Sequence, residues 1–403
     1  MKKPIDVKKL YPRERYLHRL RLFYDDEEII KVLTGIRRCG KSVLLKAICG
    51  EIEKKSDHII FLDFEDTAVL SSLPNEAALL EYIDRHRKDG LCYVFLDEVQ
   101  RVEGWASACR TLRLRDCSVF ISGSNSKLLS REFTKELSGR YVAFRVRPFV
   151  YRELREYGAS LGKEISLLDY IIWGGFPKRL EYSENGQRIY LNELNETIIL
   201  NDIINRYRIR KTEVFKRLAN FVFLSNSRIF SARSVEKYMK GAGLPCSLTT
   251  ISKYIGYLEE AFAIATVKKY SAKSKRELEY YMKVYDEDVA LNSIRVLDNR
   301  YDLTHNFENV VYNELIYMGY SVQVYNDGAH EIDFVAWKGN KRYFIQAAYS
   351  VAEEKAYERE FSAFNRLDNS CQKIVVSNDE LDYSTSTVRH VRFRDFVMMD
   401  ELS

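Results

Sequence analysis

Between residues 29 and 148, apolar runs of six or seven residues recur at 29–34, 58–64, 92–97, 117–122 and 141–147, separated by stretches with helical spacing. A strand buried on both faces reads as a continuous hydrophobic run, so this alternation predicts a parallel sheet covered by helices on both sides. Pro148 closes that unit. Residues 149–208 read as helices, interrupted by Gly174-Gly175-Phe176-Pro177 between 167–173 and 188–207. Those glycines supply a hinge, a loop that approaches a ligand, or a plain interhelical turn. From 215 to 288 the order becomes three helices (215–224, 232–239, 248–260) and then two strands (263–270, 280–285). Beyond His305 come a helix at 307–318, ended by Gly319, and strands at 331–335 and 343–348. The expected segments are 1–148, 149–208, 209–288 and 289–403, a multidomain α/β chain.

The first apolar run leads into Gly35-Ile36-Arg37-Arg38-Cys39-Gly40-Lys41-Ser42, with Val43 opening the helical stretch that follows. G-x-x-x-x-G-K-S between a strand and a helix is the phosphate-binding P-loop pattern. Its backbone N–H groups converge on phosphate oxygens at a helix N-terminus, Lys41 reaches the β/γ-phosphates and the Ser42 hydroxyl ligates Mg²⁺. ATP with Mg²⁺ is the expected ligand, and residues 35–43 its cradle. A later run, Leu91-Cys92-Tyr93-Val94-Phe95-Leu96, ends in Asp97 and Glu98. The carboxyl ends of parallel strands are where such sheets bind ligands, so Asp97 is expected to hold Mg²⁺ and Glu98 to polarise the attacking water.

A third run ends in Ser122-Gly123-Ser124-Asn125. Asn125 or Ser124 contacts the γ-phosphate or lytic water, or else caps the helix after it. Arg140 is either a surface arginine or a charge-stabilising finger, acting in cis or on a neighbouring subunit's nucleotide. The second of these implies self-association.

Composition narrows the setting. The chain has 403 residues, too many for one core, and is 46% hydrophobic and 30% charged, the balance of a folded protein. A net charge of +5 permits DNA binding without demanding it. Seven scattered cysteines with no C-x-x-C pair argue for a reducing, cytoplasmic setting and against a zinc site. No apolar run approaches the length of a membrane span, and residues 1–22 lack the apolar core of a signal peptide. Arginines 13, 15, 19 and 21 beside Tyr16, Leu17, Leu20 and Leu22 suggest an amphipathic helix packed on the first unit.

In the third segment, Ser247 caps a helix whose Thr, Ser and Lys positions punctuate an apolar stripe. This is the build of a winged helix-turn-helix. Its third helix would enter a DNA groove while Lys268, Lys269, Lys273, Lys275 and Arg276 face phosphates. The alternative is a protein-docking module. In the last segment, Glu308 on a helix, Asp333 on a strand and Gln346 on the next resemble the restriction-endonuclease-like core, in which acids gather Mg²⁺ at a scissile phosphate. Ala348 stands where that family has its catalytic lysine, so a degenerate, inactive site is expected unless Lys341 or Lys355 takes the role.

Together, residues 32–42, Phe95-Leu96-Asp97-Glu98-Val99-Gln100, Ile121-Ser122-Gly123-Ser124-Asn125 and Trp173-Gly174-Gly175-Phe176-Pro177 resemble the prokaryotic AAA-like ATPases with a C-terminal domain of unknown function related to restriction endonucleases. The resemblance implies a P-loop NTPase of the additional-strand type, a helical lid, a winged helix and a restriction-endonuclease-like α/β domain. It also implies ATP binding and hydrolysis, with Asn125 at the position of a sensor. Three readings follow: an ATPase acting on DNA, a nucleotide-gated docking switch without DNA, and an ATP-regulated nuclease.

Overall fold

A computed structural model describes residues 11–124, 137, 139–270, 282–296, 298–326, 331–368 and 370–402. Asn125, Lys273, Lys275 and Arg276 lie outside the described residues. The chain forms two compact units, one of residues 1–148 with 260–262 and one of 149–259 with 263–403.

The first unit is built on five parallel strands, β1 (Ile30–Thr34), β2 (Ile59–Asp63), β3 (Cys92–Asp97), β4 (Cys117–Gly123) and β5 (Tyr141–Arg145), in the order β2-β3-β4-β1-β5. The strand that intervenes in sequence, β2, lies at the edge, and β4 stands between β1 and β3. Burial follows position. Every residue of the interior strands β1, β3 and β4 is buried, whereas the edge strands β2 and β5 are partly exposed. Phe61, Phe95 and Phe120 stack across three neighbouring strands at 5.8 and 4.7 Å between ring centres.

Ahead of β1, a short helix (Glu14–Leu20) buries Tyr16, Leu17 and Leu20. The Arg13 guanidinium is buried as well, and donates to the carbonyls of Cys39 (3.2 Å) and Arg147 (2.7 Å). A positive charge placed there fastens the N-terminal helix to the glycine loop itself.

The second unit begins with helices Tyr151–Ser160, Leu167–Trp173 and Glu184–Thr197, the last continuing as a wider π-helical stretch, Ile198–Asn205. Helices Thr212–Leu224, Ala232–Gly241 and Leu248–Glu260 then combine with β6 (Ile229–Phe230), β7 (Ile264–Lys268) and β8 (Met282–Asp286) in an antiparallel sheet of order β6-β8-β7. A five-stranded mixed sheet follows, β13-β12-β11-β10-β9, comprising β9 (Ser321–Asn326), β10 (Glu331–Lys338), β11 (Lys341–Ala348), β12 (Gln372–Ser377) and β13 (Arg389–Arg392). The first three are antiparallel and the last three parallel.

The helix Leu303–Tyr317 is enclosed on all sides, with every residue from Asn306 to Leu315 buried. Its polar side chains are therefore obliged to find partners. Asn309 both accepts from the Asp286 amide (2.7 Å) and donates to the Asp286 carbonyl (2.9 Å), while Asn313 donates to the Glu287 carbonyl (3.2 Å). Side chains of the helix thus serve the end of β8 as another strand would.

The Gly174-Gly175 turn is held rather than loose, which decides against a hinge. The Gly175 amide donates to Asp288 (2.7 Å), its carbonyl accepts from the Phe149 amide (2.8 Å), and the buried Arg179 donates twice to the Gly174 carbonyl (3.1 and 2.9 Å). A Cβ on Gly174 would stand 1.6 Å from an Asp288 oxygen, and one on Gly175 would stand 1.7 Å from the Phe149 carbonyl. Only glycine fits. Gly175→Ala is expected to lower unfolding free energy by about 3 kcal/mol through forced backbone displacement. Gly256→Ala, in a helix with open space around it, should raise it by roughly 0.5–1 kcal/mol. Urea denaturation of both variants checks the contrast.

Candidate functional site

The glycine loop leaves the carboxyl end of β1. Gly35 has φ +145° and lies so close to β5 that a Cβ would meet the Val146 carbonyl at 2.0 Å, and Gly40 turns the chain into helix Lys41–Ile52 at φ +104°. That helix has no side-chain cap, which leaves its first N–H groups directed at the loop, the arrangement that attracts phosphate. Ile36 and Cys39 are buried and anchor the loop, whereas Arg38 and Val43 are exposed. Arg37 pairs with Glu65 at 3.6 Å. Lys41 is buried, and its ammonium donates to the carbonyls of Gly35 (3.0 Å) and Ile36 (3.1 Å), spanning the loop.

Asp97 and Glu98 meet this loop at the same sheet edge. Asp97 is buried at the end of β3, where it accepts from the Ser122 hydroxyl and bonds to Ser42. Burial pushes its carboxyl above the usual range, against those hydrogen bonds, and the nearby charges of Glu98 and Asp63 push the same way. Ser122 is a residue that the sequence reading missed. Fully buried on β4, it also accepts from the Glu98 amide at 3.2 Å, so one hydroxyl bridges both acids. Its signal was present in the strand, a hydroxyl closing the apolar stretch 119–121 at the sheet edge of Asp97. Glu98 adopts a left-handed conformation (φ +52°), and its carboxylate accepts from Gln100 (2.5 Å) and Ser124 (3.3 Å). Positive φ in a non-glycine residue is costly and recurs at functional positions.

Arg140 is elsewhere. It is exposed and precedes Tyr141, the residue of β5 that pairs with Ile30 at the start of β1. The glycine loop follows the other end of that strand, on the order of 15 Å away at the usual rise per residue. The cis finger is therefore corrected: Arg140 sits at the wrong edge of its own sheet.

Hard oxygen donors suit Mg²⁺, which keeps several waters and takes only one or two protein ligands beside substrate phosphates. The Ser42 hydroxyl and Asp97 carboxylate, hydrogen-bonded to each other, fit that requirement.

In the second unit Glu308, Asp333 and Gln346 do come together. The amide of Asp333 donates to Gln346 (2.7 Å), and Gln346 donates to Glu360 (2.6 Å). Lys341 and Lys355 are exposed and take no part. The cation at the centre is Lys283 of β8, 2.9 Å from Glu308 and 3.0 Å from Asp333. No local pattern announces it, because 25 and 50 residues separate it from those partners. Among the described residues no group of acids, histidines or cysteines is arranged to hold a metal, and no helix is long and apolar enough to cross a membrane.

Comparison with known proteins agrees with this geometry. An AAA domain matches residues 27–155, a domain of unknown function (DUF8612) residues 164–299, and another (DUF4143) residues 303–395. An uncharacterized protein of Haemophilus influenzae is 30% identical over 358 residues, covering 86% of this chain and 88% of its own length. The uncharacterized protein MJ1544 of Methanocaldococcus jannaschii is 29% identical over 377 residues, or 87% and 82% of the two chains. Among solved structures, the Walker-type ATPase PABY2304 of Pyrococcus abyssi shares the fold, with a TM-score of 0.51 at 16% identity over 72% of this chain and 97% of its own.

A buried acid whose folded-state pKa exceeds its unfolded value costs stability above the unfolded pKa, with the full cost present above the folded one. Asp97→Asn is therefore expected to raise the thermal midpoint of the nucleotide-free protein at pH 7. That gain should shrink as pH falls toward the ordinary carboxylate pKa of about 4. Calorimetry across pH checks it, and an unchanged or lowered midpoint at pH 7 would contradict the burial argument.

Proposed function

The chain belongs to the same family as its Haemophilus influenzae relative, here an AAA-type P-loop domain followed by two domains of unknown function, and from that premise we propose that it is a Mg²⁺-dependent ATPase acting on DNA. The observation that carries the reading is the meeting of Lys41, Ser42, Asp97 and Glu98 at one sheet edge, with the Ser122 hydroxyl bridging the two acids. Lys41 exchanges its loop carbonyls for β/γ-phosphate oxygens and neutralises their charge. Ser42 and Asp97 would hold Mg²⁺, which would supply stabilisation of the developing phosphate charge. Glu98 orients the attacking water and accepts its proton, once its carboxylate is free of Gln100 and Ser124. Asn125 contacts the γ-phosphate or the water, and Arg140 is a surface arginine or a finger for a neighbouring copy's nucleotide.

In this reading residues 149–208 form a helical lid, 209–288 a winged helix and 289–403 a restriction-endonuclease-like domain, moved by nucleotide turnover. Support for a DNA-facing winged helix comes from the order helix, strand, helix, helix, strand, strand. Thr249, Ser252 and Lys253 on its third helix are exposed, and so is Lys268 at the end of β7. A nucleotide-gated docking switch without DNA remains the second reading, since the same helix and strands also serve protein recognition.

Lys41→Ala is expected to lower ATP turnover at least about 100-fold. Wild-type turnover in that variant removes the assignment. Replacing both Lys253 and Lys268 by Glu should weaken binding to a DNA duplex and reduce the salt dependence by about one phosphate contact per lysine. Gel shifts across a salt series check this. Unchanged affinity together with intact ATPase activity would favour the docking switch.

A further inference from the structure

Strand β8 carries Lys283 into a buried nest of acids, where its ammonium lies 2.9 Å from Glu308 Oε1, 3.0 Å from Asp333 Oδ1 and 2.6 Å from Glu331 Oε1. An ammonium has three N–H donors and no acceptor, so three carboxylate oxygens use its whole capacity. The side chain is only 4% exposed. Its neighbours are equally well occupied. The Tyr285 hydroxyl donates to Glu308 Oε1 (2.7 Å), and the second oxygen of Asp333 accepts from the Ala347 amide (3.0 Å).

Burial alone would make Lys283 shed its proton, but the charges of Glu308, Asp333 and Glu331 overcome it and hold the group well above the ordinary lysine range. Burial also raises Glu308, to about 8, with Asp333's charge adding to it. Glu308, Asp333 and Glu331 together answer the ammonium's charge. The Glu308 and Asp333 oxygens stand at ammonium distance, wider than the roughly 2.0–2.6 Å of Mg²⁺ or Ca²⁺ coordination.

We propose that Lys283 is the resident cation of this pocket, filling among Glu308, Glu331 and Asp333 the place that a divalent ion would otherwise take. A second cation cannot share the nest without close repulsion in a buried setting. The pocket therefore takes no Mg²⁺, and Lys283 instead pins β8 to the helix Leu303–Tyr317 and to β10. This is independent of the ATPase reading. A lysine that merely lined a metal site would leave the ion room to bind; a lysine that replaces the ion would not.

The test counts bound Mn²⁺ by electron paramagnetic resonance on the full chain without nucleotide, in an Asp97→Asn background that removes the carboxylate placed on the metal at the phosphate loop. With Lys283 present, Asp333→Asn should change nothing in the Mn²⁺ count. Lys283→Met should lower Tm by about 10 °C, as expected for carboxylates left without their buried partner. It should also gain one bound Mn²⁺, recover Tm as Mn²⁺ is added, and lose both effects on addition of Asp333→Asn. Mn²⁺ bound beside Lys283 and lost in Asp333→Asn would overturn the proposal. So would a folded Lys283→Met that binds none. Should that variant fail to fold, Lys283→Gln is assayed in millimolar Mn²⁺; failure of both to fold with the ion present also counts against it, because a metal should stand in for the lost charge.

Discussion

A carboxylate taken out of water must be answered by hydrogen bonds, by a cation or by a proton, and both units of this chain are organised around that requirement. In the first unit Asp97 sits at the end of a fully buried strand, with Ser122 and Ser42 as its partners. Two hydroxyls do not fully offset the burial, and the carboxyl remains raised. That residual cost is useful in a nucleotide site, because a ligand bringing a divalent ion relieves it. In the second unit the same problem is closed internally. Lys283 supplies the charge, Tyr285 and the Ala347 amide supply hydrogen bonds, and a β-strand is tied to a mixed sheet as a result.

Precision at the first site depends on backbone contacts as much as on side chains. Gly35 lets the loop approach the Val146 carbonyl, and Arg13 holds the carbonyls of Cys39 and Arg147 from the N-terminal helix. The loop is thereby fixed from the helix it enters, from β5 and from a segment more than twenty residues upstream. Glu98 is fixed differently. Its amide is held by Ser122, while its carboxylate is engaged by Gln100 and Ser124, so both its left-handed backbone and its side chain are positioned by local partners.

What the sequence made legible was whatever is local. The glycine loop, the acids ending an apolar run and the alternation of strand with helix are contiguous signals, and the parallel sheet followed from them. Contacts distant along the chain were not legible. Lys283 reads as an ordinary strand residue until the fold carries Glu308 and Asp333 to it, and attention to Lys341 and Lys355 looked only near the motif. Arg140 is a different case. The sequence left a surface arginine and a finger open there, but a parallel strand has two ends, and the register of β5 on β1 puts Arg140 at the end away from the glycine loop. The glycine pair at 174 and 175 was visible, yet its reason was the approach of Asp288, more than a hundred residues away.

The central claim is that Glu98 performs the proton-accepting step for ATP held by the loop at 35–43. Glu98→Gln keeps the shape of the side chain while removing its basicity, so ATP retained on the protein and phosphate released should be measured together in Mg²⁺. The account predicts ATP retained at wild-type stoichiometry, with release slowed by roughly 100-fold or more. Phosphate release at the wild-type rate would contradict it, and so would loss of ATP binding in step with turnover.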